Sequence, residues 1–374
     1  MRFLFIVQGE GRGHMTQAMV ISDLLHKHGM EVVAVVIGAS GRRTPPDYFL
    51  DAFSCPVYRV QSPNFVADKE QKAIKMGATV LENLKKLPRF IRSLQQLDHW
   101  VQVHRPDCIL NFYDMLGGIY AMCYPFRATY LAIGHQYLMF HPDFTFAKPG
   151  GLQKVLFKLN TAITCANASK IIALSLWKPQ RAMKNENHLV WPPLIRERVR
   201  RAEPSTGDFF LVYIVNSGYA EEIYRLAKNR PQITIEAFWD AQQVPARYLT
   251  LPNLTFHRID DERFVEKLRQ CKAYLSTAGF ESIAEAMFLG KKTLMVPVKG
   301  QYEQRCNACD AEQAGAGRTA DRFAAEMLEK LLEEEKNCTA SATAFSDWQQ
   351  SLDAAFLAFL TSIPSPIGKR ILVD

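Results

Sequence analysis

The sequence has few of the features that assign a protein to a class at sight. No stretch approaches the roughly 20 uncharged apolar residues that a membrane-spanning helix requires. The most apolar region, Cys108 to Gly134, is broken by Asp114, Gly117, Gly118, Pro125 and Arg127. The eight cysteines follow no disulfide spacing, and several stand inside apolar segments where a free thiol packs as a small hydrophobe. That usage favours a reducing cytoplasm. Cys306-Asn-Ala-Cys309 is a lone pair inside a helical stretch, without the second pair or His-x-x-x-His that would complete a zinc site. His26, His28, His99, His104, His141, His188 and His257 share no metal spacing, and no Asp-x-Asp for a divalent cation is present. Metal: none is expected. The aromatic residues fall at ordinary density outside any nucleic-acid motif, so nucleic acid is discounted as a partner.

A chain of 374 residues with 48% apolar composition suits two α/β domains better than one core. The formal charge of +7 favours acidic ligands or an anionic surface. The opening segment, Met1 to Gly9, meets glycine and charge too early for a signal peptide and reads as a buried first strand. Apolar runs at Phe3–Val7, Val32–Ile37, Val57–Val60, Ile109–Phe112, Thr129–Ile133 and Ile171–Leu174 alternate with amphipathic segments. A second series follows at Phe209–Val215, Ile233–Phe238, Leu254–His257, Ala273–Ser276 and Thr293–Val296. This βα rhythm predicts two doubly wound, Rossmann-like sheets. The joint falls in Val190 to Asp208, where two prolines and a basic cluster with Arg196, Arg198, Arg200 and Arg201 separate the series, with the boundary near Arg200. Those arginines read as exposed linker charge. The expected domains are residues 1–200, 201–340 and a C-terminal helix with its tail, 341–374. Residues 68–103 read as long basic helix, with Lys69, Lys72, Lys75, Lys85, Arg89 and Arg92 among apolar positions. Such a segment is either a solvated helix or a peripheral contact with an anionic membrane.

The first strand runs into Gly9, Gly11 and Gly13 and then His14. A dinucleotide fingerprint places its third glycine where His14 stands, and it needs an acidic residue after the second strand, where this chain has Ala39, Ser40 and Gly41. No Gly-Lys-Ser/Thr follows for a P-loop. The loop therefore supplies a helix start, whose partial positive charge suits an anion and keeps a histidine neutral. His14 in that position is a candidate general base. Asp114 and His135-Gln136 end two further strands of the same series. His135 is the alternative base. Asp114 either orients a histidine or caps a helix.

In the second series, Tyr274 to Gly317 places two helix starts in one crevice. Gly279 with Glu285 six residues on, and Glu303-Gln304 followed by Asn307-Ala308, resemble the donor-binding half of the two-domain GT-B glycosyltransferases. The similarity is to the family 1 and family 28 nucleotide-sugar enzymes, in particular a bacterial and archaeal subgroup with an early Gly-Glu-Gly-x-Gly-His loop and a Val-Trp-Pro-Pro-Leu joint. The resemblance implies a two-Rossmann fold whose C-terminal helix returns to the first domain. It also implies sugar transfer, with inversion and without metal, from a nucleotide diphosphate sugar, a uridine diphosphate sugar foremost. Its site residues carry over individually. Glu285 meets the ribose hydroxyls, while Thr277, Gly279, Phe280 and Ser282 form the loop on the diphosphate. Asn216, Ser217 and Gly218 make a second diphosphate contact, backbone near Ile259 reads the base, and Glu303, Gln304 and Asn307 face the donor sugar. Plant-type relatives have His and Asn where this chain has Thr277 and Glu281, and Asp where it has Glu303. A carboxylate at Glu281 would repel a diphosphate, so its side chain is expected to turn away or bind something else. No cofactor beyond the donor is implied. A lipid-linked acceptor at the inner face of the plasma membrane fits the basic 68–103 segment. Two other readings stay open: a sugar-nucleotide 2-epimerase-like enzyme using cleft carboxylates such as Glu10 and Asp114, and a catalytically silent sugar-nucleotide-binding module.

Overall fold

The computed structural model describes residues 1–39, 45–63, 86–214, 217–239, 247–335 and 340–363. Asn216 and residues 68–85 of the basic segment lie outside them.

The first sheet joins β1 (Arg2–Gln8), β2 (Glu31–Gly38), β3 (Val57–Val60), β4 (Cys108–Phe112), β5 (Thr129–Gly134), β6 (Lys170–Leu174) and β7 (His188–Trp191). Their order is β3-β2-β1-β4-β5-β6-β7, and every pairing is parallel. Both faces are covered, which is why β1 and β4 read as near-continuous apolar runs rather than alternating ones. The helices are α1 (Arg12–Lys27), α2 (Asp47–Leu50), α3 (Leu87–His104), α4 (Met115–Cys123), α5 (Gly151–Thr164) and the short α6 (Glu197–Arg200). A 3₁₀ turn over His135–Phe140 follows β5.

The second sheet comprises β8 (Phe209–Ile214), β9 (Thr234–Trp239), β10 (Arg247–Leu251), β11 (Leu254–Arg258), β12 (Ala273–Ser276), β13 (Thr293–Met295) and β14 (Gly317–Thr319). Their order is β10-β11-β9-β8-β12-β13-β14, with β10 antiparallel at one edge and the other pairings parallel. Helices α7 (Ala220–Asn229), α8 (Asp261–Gln270), α9 (Phe280–Phe288), α10 (Tyr302–Gln313) and α11 (Ala325–Glu335) flank it, and α12 (Ala340–Gln350) and α13 (Leu352–Ser362) end the described chain.

Two Rossmann-like sheets therefore face each other, as the βα rhythm predicts. Strands β7, β10 and β14 are additions to that reading. They are short edge strands of three to five residues, too brief for a periodicity to show. Strand β7 takes up Val190 and Trp191, which the prolines after them make look like the start of the joint. The C-terminal helix expected in 341–374 is two helices, because the backbone turns at Ser351.

The C-terminal helices return to the first sheet. Trp191 at the end of β7 packs edge-on against Phe356 and Phe359 of α13, and Trp348 Nε1 donates to the Ser175 carbonyl. Arg200 donates to the Gln349 amide oxygen at 2.7 Å. On the opposite face of the sheet, α4 meets α5 so closely that a Cβ on Gly118 would stand 1.8 Å from the Ile163 carbonyl oxygen.

Gly118→Ala is expected to destabilise the fold by about 1–3 kcal/mol, since backbone rather than a flexible side chain must move. A guanidinium unfolding midpoint equal to that of the wild type would show that the two helices separate freely.

Candidate active site

The site forms where the carboxyl ends of both parallel sheets meet, because only there does backbone leave the buried ladder and turn into helix starts. Gly9 closes the first turn, its N–H donating to the Gly38 carbonyl at 2.8 Å. A Cβ there would meet Ile37 Cγ1 at 2.9 Å and that same oxygen at 3.0 Å. Gly11 is the N-cap residue of α1, and its N–H donates to Gln8 Oε1 at 3.3 Å. Gly13 lies directly against Glu281 of the second domain, where a Cβ would stand 2.1 Å from the carboxylate. The third glycine thus permits a contact across the cleft.

His14 is buried in the first turn of α1 and stacks on Tyr113, with ring centroids 5.5 Å apart. Its Nδ1 lies 3.2 Å from Gln17 Oε1 and its Nε2 lies 3.2 Å from Gln136 Nε2. Burial lowers its pKa to about 4, despite the hydrogen bond to Gln17. His135 sits 6.5 Å from His14 between ring centroids and stacks on Phe280 at 4.5 Å. Its pKa falls to about 3, through burial and then the neighbouring His14. Both imidazoles are therefore neutral across the physiological range.

Three side chains tie these histidines to the second domain. Gln17, fully buried, donates to Glu281 Oε1. Gln136 Nε2 donates to Glu303 Oε1 at 3.0 Å. His135 Nε2 donates to Asn307 Oδ1 at 2.8 Å, and Asn307 in turn donates to the Ala278 carbonyl. Burial raises Glu281 and Glu303 to about 7. Glu281 does not face a diphosphate site unpaired: it turns to Gln17. No sequence spacing announces Gln17 or Gln136, since their partners lie 264 and 167 residues away.

Asp114 has the capping role. Its Oδ1 accepts from the Leu116 N–H at 2.8 Å and from Ser62 Oγ at 3.0 Å, and burial lifts its pKa to about 6. The hydrogen bonds of His14 run to Gln17 and Gln136 instead.

In the second domain, Gly279 is the N-cap of α9 and exposed, Ala278 before it adopts φ 57°, and Ser282 Oγ donates to the Gly279 carbonyl. Thr277 is buried, and Phe280 carries His135 on its ring. Gln304 Oε1 accepts from the Val298 N–H at 2.7 Å, which fixes the loop after β13. Glu285 is buried and accepts both Arg196 Nε and Nη2 at 2.6 Å. The third Arg196 nitrogen bonds Asp261. A carboxylate has about four lone-pair positions, so Glu285 retains capacity for two more donors. Arg196 is thus not linker charge but a half-buried clamp from the joint onto α8 and α9. Ser217 and Gly218 open the 3₁₀ turn after β8, and Ile259 follows β11 at the cleft edge. His135 Nδ1, Gln136 Oε1 and Ser276 Oγ are buried and find no partner among the described residues. Such groups are satisfied by a ligand or by water. Cys306 and Cys309 lie in α10 as free thiols, and burial raises Cys306 to about 11.

Residues 1–334 match the sequence profile of Glycosyl transferase family 1. The chain belongs to that family. It is a glycosyltransferase of the GT-B fold. A protein of Methanosarcina acetivorans described as an uncharacterized glycosyltransferase is 25% identical over 342 residues, covering 85% of this chain and 83% of its own. Among solved structures, LpCGTa in complex with UDP aligns with TM-score 0.62 at 14% identity, covering 97% of this chain and 99% of its own. The spinosyn rhamnosyltransferase SpnG complexed with thymidine diphosphate aligns with TM-score 0.56 at 14% identity, covering 97% and 100%. These structures support the fold.

Asp310, on α10 of this glycosyltransferase, accepts from Trp177 Nε1 at 2.7 Å, and burial raises its pKa to about 7. Its folded value exceeds its unfolded value, so the folded state holds the extra proton and stability falls as pH rises from about 4 to about 7. In Asp310→Asn that loss is removed. The melting temperature of the variant is expected to match the wild type near pH 4 and to exceed it by a few degrees near pH 7.5. Parallel curves would show that Asp310 titrates normally.

Proposed function

We propose that this glycosyltransferase moves a sugar from a nucleotide diphosphate donor, a uridine diphosphate sugar foremost, to an acceptor hydroxyl, with inversion and without a metal. Residues 1–200 would form the acceptor side, residues 201–340 the donor side, and residues 341–374 the returning helix and its tail. One observation carries the reading. His14 is a neutral imidazole whose Nε2 lies 3.2 Å from Gln136 Nε2, among side chains that bond to the two helix starts of the second domain. An acceptor hydroxyl displacing Gln136 from Nε2 would give its proton to His14 as its oxygen attacks the anomeric carbon. The bond from that carbon to the diphosphate oxygen breaks, and the departing charge meets the N–H groups of α9 around Gly279. The ribose hydroxyls would take the two remaining positions of Glu285. Glu303, released from Gln136, would accept from the donor sugar. The similar structures LpCGTa and SpnG hold UDP and thymidine diphosphate, which supports a nucleoside diphosphate donor here.

Asp114 is engaged as a cap, which takes from the epimerase-like alternative one of the two cleft carboxylates it had. His14→Ala is expected to lower kcat by about 10²–10⁴-fold, while melting-temperature shifts across a panel of nucleotide sugars still identify the donor. Full transfer by the variant would move the base to His135.

We also propose that the acceptor is presented at an anionic membrane face. Helix α5 exposes Leu152 (68%), Val155 (59%) and Leu159 (54%) on one side. Leu87 and Ile91 are exposed at the start of α3 beside Arg89 and Arg92. Between Asp143 and Glu186 the sequence has no acidic residue but seven basic ones, Lys148, Lys154 and Lys158 among them. Apolar side chains ringed by lysine suit an interface with anionic headgroups. No helix of the described residues is long and apolar enough to cross a membrane. Co-sedimentation with phosphatidylglycerol vesicles is expected to be salt-sensitive and to weaken in the double variant Leu152→Glu with Val155→Glu. Equal binding of variant and wild type would remove α5 as the contact.

A further inference from the structure

The two nitrogens of His14 are not equivalent, and the reason lies across the cleft. A neutral imidazole carries one N–H, and which nitrogen bears it follows from the hydrogen bonds of the other. Gln17 Oε1 faces Nδ1, and an amide oxygen only accepts, so Nδ1 carries the proton. An amide can present either end, and its orientation is settled by its second partner. Here Gln17 Nε2 faces the Glu281 carboxylate, which only accepts while ionised. The amide is thereby held with its oxygen on His14. At the other nitrogen, Gln136 Nε2 faces both Glu303 Oε1 and His14 Nε2, so it donates to the bare Nε2. Both ends of the ring report the same tautomer.

We infer that Gln17, oriented by Glu281 of the opposite domain, is the positioning residue that holds His14 with its Nε2 lone pair free to take a proton. The inference rests on His14 as acceptor-side base, and it gives Glu281 and Gly13 one shared purpose. Gly13 leaves the space in which Glu281 reaches Gln17: a Cβ there would stand 2.1 Å from the carboxylate and displace it. Gln17 lies one helical turn after His14 on α1, fully buried, so the pair moves as one body and its register is set by the helix. Glu281 belongs to the first turn of α9, directly after the loop assigned to the diphosphate. Closure of the two domains therefore completes the base. When they separate, Gln17 loses the carboxylate that fixes its amide, and His14 is free to take either tautomer.

The test is long-range proton–nitrogen correlation NMR on histidine-¹⁵N-labelled protein without substrate, read together with transfer kinetics. Wild type should show His14 as the Nδ1-protonated tautomer. Gln17→Leu, close in volume, should lose that preference and lower kcat on the order of 10²-fold with donor KM little changed. Gln17→Glu alone sets two carboxylates against each other and should be equally impaired. Combining Gln17→Glu with Glu281→Gln exchanges the two groups and restores both hydrogen bonds, with only the one between the two positions reversed. The carboxylate now on α1 accepts from His14 Nδ1 and from the amide now on α9. This double variant should recover the Nδ1-protonated signal and raise the His14 pKa above its wild-type value through the adjacent charge. A wild-type ring protonated at Nε2, or an Nδ1 tautomer that persists in folded Gln17→Leu, would overturn the inference. Because the tautomer is read without substrate, this result stands apart from His14→Ala, which tests the base itself.

Discussion

A parallel sheet covered on both faces has one place for polar chemistry, the ends of its strands. In this protein two such sheets present their carboxyl ends to each other, and nearly every residue of the site stands where a strand gives way to a loop or helix. His14 follows β1, Asp114 follows β4, His135 follows β5 and Gly279 follows β12. Elsewhere the same strands are mostly apolar and buried. The constraint also accounts for the electrostatics. The facing edges exclude water, so burial lowers the pKa values of the imidazoles and raises those of the carboxylates. The groups respond by bonding across the cleft.

Those bonds are polar, and most are neutral donors reaching carboxylates or amides. Arg196, at the joint, brings a full positive charge shared by Glu285 and Asp261, and Arg198 beside it pairs with Glu262. Buried ion pairs of this kind cost desolvation and add geometric definition more than stability. Apolar packing supplies the cohesion: a core runs from the first sheet through Trp191 and the C-terminal helices into the donor-side elements. Helices α12 and α13 thus hold the two halves in register while the cleft contacts remain exchangeable. Such a division suits an enzyme that must admit a donor and an acceptor between the same two edges.

Much of the second-domain part of the candidate site can be read from the chain because its residues are close in sequence. Gly279, Ser282 and Glu285 lie on one loop and its helix, and Glu303, Gln304 and Asn307 lie on the next. Local spacing therefore carries local geometry. The first-domain part is different. Gln17 and Gln136 are glutamines without motif, and nothing within ten residues of either shows that a carboxylate waits opposite. Asp114 is open to two readings in sequence because a cap and an orienting carboxylate look alike there. Its bond to the Leu116 N–H resolves them. Arg196 reads as linker charge, since exposed arginines at a joint are common, and only its two carboxylate partners from the second domain show otherwise.

By itself the sequence determined the alternation of strand and helix, the two sheets, the glycine turn with His14 at its end, and the family of the donor loops. Each is written in residues that are neighbours along the chain, and side-chain periodicity or backbone freedom decides it locally. Only the tertiary structure decided which side chains meet the two nitrogens of His14, what stands against Gly13, and where the Glu281 carboxylate turns. These depend on two helix starts, α1 and α9, brought together although Gln17 and Glu281 stand 264 residues apart. A hydrogen bond acts over about 3 Å, and no local pattern can encode a partner that the fold alone brings within reach.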